Sequence, residues 1–129
     1  MTQHISHKIL KQKQVVQQYL DIADDWGLSD EETFDLSNLV AFDTLHYWRH
    51  GIFPLFDDDI YEHLSAIVTL NHFVKRCFND TSNRRLWLRS SPDTFFGKPP
   101  LEYMLSGHRS TINDVSKRLI LRIAIALTS

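Results

Sequence analysis

Residues 57–78 read DDDIYEHLSAIVTLNHFVKRCF, which is the clearest helical pattern in the chain. Three carboxylates stand where the positive end of a helix dipole would lie, and apolar residues then recur at helical spacing. The apolar positions are Ile60, Leu64, Ile67, Val68, Val74, Cys77 and Phe78. We predict one long central helix that ends by Asn79 or Asp80. Because the dipole accounts for the carboxylates, we do not expect a metal site at Asp57–Asp59.

Three shorter helices are predicted before this one. The first runs from about His7 to Trp26 and is stopped by Gly27. Ser29 opens the second as an N-cap, because Glu32 stands three residues on and completes a capping box. The remaining predicted boundaries are the end of the second helix near Ser37–Asn38, a third helix over Phe42–His50 closed by Gly51, and a linker over Ile52–Phe56.

Turn-forming residues divide the sequence that follows the central helix. Gly97 permits a positive-φ turn, and Pro99 and Pro100 stiffen the entry to a short helix. The predicted elements are a helix over Ser82–Arg89, a turn over 90–94, a rigid loop over Phe95–Pro100, a short helix over Leu101–Leu105 ended by Gly107, and a last helix over about Thr111–Leu127.

No segment alternates with the period of a strand, so the predicted fold class is all-α. We divide the chain into a helix-turn-helix-like region over 1–56 and a central helix with a C-terminal helical module over 57–129. Its 129 residues are 43% hydrophobic and hold no run of 18 uncharged apolar residues. We expect a cytoplasmic protein that does not enter a membrane. The one cysteine, Cys77, excludes an internal disulfide and is predicted to be a buried thiol.

The net charge of −2 conceals an asymmetry between the two halves of the chain. Residues 1–73 carry 4 basic and 12 acidic side chains, a balance of −8, whereas residues 74–129 carry 10 and 4, a balance of +6. A basic half can meet nucleic acid, an acidic partner surface or the acidic half of a second copy. It can also be one of two solvated surfaces of opposite sign.

The residue patterns of common active sites are missing from the sequence. His46 and His50 lie one helical turn apart and Asp43 shares their face, but the glutamate expected beside the first histidine is absent. The sequence has no glycine-rich phosphate loop and no G-x-S-x-G nucleophile motif. We expect no enzyme activity, no cofactor and no bound metal.

Residues 29–51 read as two short helices with a tight connection, the pattern of a helix–turn–helix. Its candidate DNA contacts are Thr44, His46 and Arg49. Two features argue against DNA binding, namely Leu39 in the turn and five acidic residues around a single arginine, because affinity for DNA comes largely from neutralised phosphates. We predict that the aromatic side chains of Phe42 and Trp48 belong to the core.

The segment after the central helix contains a further set of ordered positions. It reads Arg84-Arg85-Leu86-Trp87-Leu88, then Pro92, then Phe96-Gly97-Lys98-Pro99-Pro100-Leu101-Glu102-Tyr103-Met104-Leu105, then Ser106-Gly107. These positions hold Tyr103 and Met104 on a short rigid helix, either to present them to a partner or to pack a corner of the core. From Trp26 onward the chain resembles the Xre/MbcA/ParS-like antitoxins, strongly over about 35 residues.

The resemblance implies an antitoxin of a type II toxin–antitoxin system that covers and neutralises a RES-domain toxin, an NAD-consuming enzyme. The residues we assign to toxin binding are Lys98, Leu101, Tyr103, Met104, Arg109, Arg118 and Arg122. The end of the last helix, apolar from Ile120 to Leu127 except for Arg122, suggests a homo-oligomer or a groove on another protein. The alternatives are a regulator of the same family that represses its own operator and an adaptor with no toxin partner.

Overall fold

The computed structural model describes residues 2–90, 94–106 and 108–128, and over these residues the chain is all-α as predicted. Its helices are α1 (Thr2–Trp26), α2 (Asp30–Ser37), α3 (Phe42–Arg49), α4 (Asp58–Cys77), α5 (Thr81–Ser90), α6 (Pro100–Met104) and α7 (Arg109–Thr128). The predicted helix stop at Gly107 and most of the predicted turn over 90–94 lie outside the described residues.

The long helix α4 forms the centre of the molecule, as its sequence predicts. Asp57 is its N-cap, and the Asp57 side chain accepts a hydrogen bond of 3.0 Å from the N–H of Ile60. Helix α1 packs on one side of α4 and α7 on the other, around one continuous core. Among the described residues, the segments 1–56 and 57–129 both contribute side chains to this core.

Helices α4 and α7 run in the same direction. Arg109, at the start of α7, binds Asp59 and Glu62 at the start of α4. Near the other ends, Cys77 of α4 and Ala126 of α7 line one notch. Because α4 ends at Cys77, the last turn of α7 reaches the rim of the bundle and has little of α4 beside it.

Arginines of α5 bind the C-terminal end of α1, where the helix has no basic residue of its own. Arg84 forms an ion pair with Asp25, with nitrogen–oxygen distances of 2.7 and 2.8 Å. Arg85 donates to the backbone carbonyls of Asp24 and Asp25, and Arg89 donates to the carbonyl of Gly27. Arg85 and Arg89 thus satisfy free carbonyls at the negative end of the α1 dipole, and Arg84 binds the Asp25 carboxylate beside them.

The same contacts explain much of the charge asymmetry of the sequence. Arg89 also binds the carboxylate of Glu32, at 2.8 and 2.9 Å, and with the N–H of Ser29 it lowers the pKa of Glu32 to about 2. Arg109 pairs with Glu62 and Asp59. For these residues the acidic partner is the first half of the same chain, rather than a separate protein or a second copy.

Within the described ranges, no helix combines the length and the apolar character needed to cross a membrane.

Candidate protein-binding surface

Residues 95–98 form a two-residue turn that projects an aromatic side chain. Phe95 and Lys98 exchange backbone hydrogen bonds of 2.9 and 3.0 Å, and the two residues between them have positive φ, 54° for Phe96 and 83° for Gly97. Positive φ at both central residues is the mark of a type I′ turn. The predicted rigid loop is therefore a tight turn, and its Gly97 has the predicted positive φ.

Phe96 occupies a backbone conformation that suits its residue type poorly. The left-handed region costs an ordinary L-residue roughly 1–2 kcal/mol, and the first central position of a type I′ turn favours asparagine, aspartate or glycine. The Phe96 side chain nevertheless extends into solvent and is 91% exposed. A residue in this conformation whose ring is exposed gains little from burial in the core to offset the strain.

Tyr103 and Arg118 pack against the aromatic residues of the turn, and Asp114 holds Tyr103 in place. The ring of Tyr103 stacks on Phe95 at 5.1 Å between centroids with 8° between planes, and it meets Phe96 at 5.9 Å. On Phe95 lies the guanidinium of Arg118, 4.1 Å from the ring centroid. The Tyr103 hydroxyl donates to Asp114 at 2.5 Å, and this hydrogen bond raises the pKa of Tyr103. The turn, α6 and α7 are thereby fixed to one another.

The turn lies beside one flank of α7. Arg118 touches both Phe95 and the carbonyl of Thr94, and Leu121 and Ile125 follow it at i+3 and i+7 on the same flank. Both apolar side chains are exposed. We name Phe96, Arg118, Leu121, Arg122 and Ile125 the α7 strip.

The last two turns of α7 are exposed on almost every side. Arg122 lies over the ring of Phe78, 5.1 Å from its centroid, and Ile123 is half-buried. The remaining side chains are exposed although they are apolar: Leu121, Ala124, Ile125, Ala126 and Leu127. The predicted helix end with apolar residues on all sides is thus present, and within this chain it has almost no cover.

A notch of about 300 Å³ separates the ends of α4 and α7. Arg76 and Arg122 line it together with Cys77, Ile123, Ala126 and Leu127. Cys77 is half-buried rather than fully buried as predicted, and desolvation raises the pKa of its thiol. The raised pKa disfavours the reactive thiolate, so the notch is an apolar recess with basic edges.

Of the residues predicted to bind a toxin, Lys98, Arg118 and Arg122 lie on or next to the α7 strip. Tyr103 is half-buried and supports the turn from behind. Lys98 lies in the turn, Tyr103 in α6 and both arginines in α7.

The other three predicted residues lie elsewhere. Leu101 and Met104 are buried, with 2% and 0% of their surface exposed, because the apolar side of α6 packs into the core. The expectation that Met104 is an exposed anchor is wrong, and the core-packing alternative holds for these two residues. Arg109 stands at the opposite end of α7, where Asp59 and Glu62 bind it.

The predicted DNA-contact residues do not form a basic surface. Arg49 pairs with Asp24 at 3.2 Å and with Asp30 at 3.6 Å, so its charge is offset within the chain. Thr44 is half-buried, and the ring of His46 lies 4.2 Å from that of His50.

The connection between α2 and α3 differs from the prediction in two ways. The residue with left-handed backbone is Asn38, with φ of 65°. Leu39 therefore does not occupy the position at which such turns favour glycine. Trp48 is buried as predicted, but Phe42 is half exposed and packs on Phe34, with 5.2 Å between ring centroids. In the described ranges, histidine, cysteine and carboxylate side chains form no group of three that could hold a metal ion.

Sequence reasoning missed Phe96 as a site residue, although one signal was present. Glycine at the second central position, after a bulky residue and before Lys98, fits a two-residue turn, which would place Phe96 at the tip. Nothing in the sequence tells which arginines face the carbonyls of α1 and which lie on aromatic rings, because that depends on how α5 and α7 pack.

Comparison with known proteins adds no family to these observations. No family model matches the chain, and no curated protein and no solved structure matches it either.

Proposed function

We propose that this chain is an antitoxin that binds a RES-domain, NAD-consuming toxin through the α7 strip and neutralises it by covering its surface. The observation that supports a protein-binding role best is the exposure of Leu121 and Ile125 on α7, together with that of Phe96 in the turn that Arg118 contacts. Binding energy at protein interfaces concentrates in a few aromatic, arginine and apolar residues, and the strip offers all three types within one flank.

The charge of the strip favours an acidic partner. Arg118 and Arg122 flank the exposed apolar side chains, with Lys98 in the adjoining turn. Positive side chains around an interface speed the encounter with a negative partner, and salt weakens this effect. The proposed complex should therefore form more slowly as the salt concentration rises.

The choice of a RES-domain toxin as partner rests on the resemblance to the Xre/MbcA/ParS-like antitoxins carried by residues 84–107. Exposure and charge support a protein partner of any kind, and the resemblance names the class. A homo-oligomer, in which α7 is shared between copies, belongs to the same proposal.

DNA binding is the less favoured function, because Arg49 is paired with two carboxylates at the centre of the helix–turn–helix-like region. Neutralising phosphates would require that pairing to be broken.

Co-expression tests the proposal directly. The chain is expressed together with a RES-domain toxin, and growth of the cells and co-purification of the two proteins are measured. We expect the chain to restore growth and to form a stable complex with a catalytically inactive form of the toxin. Continued growth arrest, or no complex at micromolar concentrations, would contradict the proposal.

A further inference from the structure

We propose that Phe96 is a preformed knob that enters an apolar pocket with a carboxylate rim on the partner protein. The inference rests on the proposed function and specifies the chemistry of its partner. It starts from the turn at 95–98, where a phenylalanine holds a position with positive φ and almost all of its ring is exposed.

The fold itself does not require a phenylalanine at this position. Asparagine would adopt the same φ at lower cost, and an exposed ring contributes no burial to the core. Burial of the ring in a complex would account for both the strained backbone and the exposed ring.

The knob is rigid before any partner arrives. Two backbone hydrogen bonds close the turn, and the ring of Tyr103 packs against the rings of Phe95 and Phe96. Arg118 holds Phe95 from the α7 side. A turn that is already closed loses little backbone entropy on binding, and a phenylalanine has only two side-chain torsions to restrict.

The charges beside the knob specify the rim of the pocket. Lys98 is exposed two residues after Phe96, and Arg118 lies on the next ring of the stack. The nearby acid Asp114 accepts the hydroxyl hydrogen of Tyr103 and so is partly satisfied within the chain. A pocket rimmed by carboxylates complements this arrangement, and a basic pocket would repel it.

Substitution of Phe96 with asparagine separates a binding role from a structural one. Asparagine removes the ring but fits the type I′ turn better, so we expect the Phe96→Asn variant to unfold at the same temperature as the wild type or higher. Affinity for the inactive RES-domain protein should fall about thirtyfold, the loss typical of a central interface residue, measured by titration calorimetry at fixed salt.

A matched control is Val40→Asn, which replaces another apolar side chain, 97% exposed, in the connection between α2 and α3. We expect this variant to bind the RES-domain protein with unchanged affinity. A charge test on the same turn is Lys98→Glu, which should weaken binding and reduce its dependence on salt.

The outcomes distinguish failure of the Phe96 inference from failure of the proposed function on which that inference rests. A wild-type chain that does not bind the RES-domain protein contradicts the proposed function and the knob with it. Tight binding by both the wild type and Phe96→Asn overturns the knob alone, and so does a lower unfolding temperature for Phe96→Asn. If light scattering shows that Phe96 joins two copies of the chain and that Phe96→Asn separates them, the occupant is a second copy and the inference is wrong.

Discussion

Arginines perform opposite tasks in two regions of this molecule, the α1–α5 junction and the α7 strip. At the junction, Arg84, Arg85 and Arg89 point into carbonyl and carboxylate oxygens at the end of α1. On the strip, Arg118 and Arg122 lie over aromatic rings and stand beside exposed apolar side chains.

The difference shows that these basic residues after residue 73 fall into two groups, one bound to oxygen atoms of the first half and one at the surface of α7. The junction uses its arginines to stabilise the fold, and the loss of Arg84 is the most expensive because that side chain is buried. The strip keeps its arginines at the surface, where a charge contributes little to folding, and the proposed function gives them a role in association. Variants at the two regions should therefore separate stability from binding.

The largest effect on stability is expected at the junction. Arg84 has 8% of its side chain exposed, and it donates to Asp25, Thr81 and the carbonyl of Phe78. Arg84→Ala leaves these acceptors without their cation, so the free energy of unfolding should fall by about 3 kcal/mol. That corresponds to a loss of roughly 10 °C in unfolding temperature.

Arg122→Ala is the matched control on the strip. Thermal unfolding of both variants compares the loss of stability caused by each. The Arg122 side chain is exposed and makes a cation–π contact, so we expect a loss of about 0.5–1 kcal/mol. Equal losses in the two variants would refute the division between a stabilising and a binding set of arginines.

Periodicity and capping predicted most of the fold, because those signals are local. The capping box at Ser29 and Glu32 is present, with hydrogen bonds of 3.1 and 3.0 Å. The start of α1 was missed, since Thr2 stands well before the predicted His7 and the intervening residues have no clear apolar period. The course of α7 along α4 was also beyond local signals, because it depends on contacts between residues far apart in sequence.

A smaller and pH-dependent effect is expected at His63, in the core of the first half. Its Nε2 lies 2.8 Å from the carbonyl oxygen of Leu36, and burial, opposed by this bond and assisted by the charge of Arg109, lowers the pKa of the ring. The folded state thus binds a proton less readily than the unfolded state. Stability is complete above the unfolded pKa of about 6.5 and is lost as the pH falls from there towards the lower folded pKa.

His63→Gln tests this effect, because glutamine can still donate to the Leu36 carbonyl but does not titrate. One proton limits the slope to about 1.4 kcal/mol per pH unit, so we expect the wild type to lose stability below pH 6.5 faster than the variant, by no more than that slope. Unfolding in denaturant at several pH values measures the difference. Parallel curves for the two proteins would disprove a role for His63.

The candidate site was predicted only in part, and the reason is physical. Lys98, Arg118 and Arg122 could be found because basic and exposed residues tend to coincide. Met104 was misplaced because an amphipathic helix as short as α6 gives no sign of which apolar residue faces the core. Phe96 was overlooked because its conformation, rather than its residue type, distinguishes it.

The central claim, that the exposed end of α7 binds a protein and does not hold the fold together, is tested by Leu121→Asp combined with Ile125→Asp. Ile9→Asp combined with Leu10→Asp is the matched control, because these are equally apolar, partly exposed residues of α1. We measure the affinity for the inactive RES-domain protein and the free energy of unfolding of both double variants. The α7 variant should bind at least thirtyfold more weakly and lose less than about 1 kcal/mol of stability, while the control binds normally. Normal binding by the α7 variant, or its unfolding, would contradict the account.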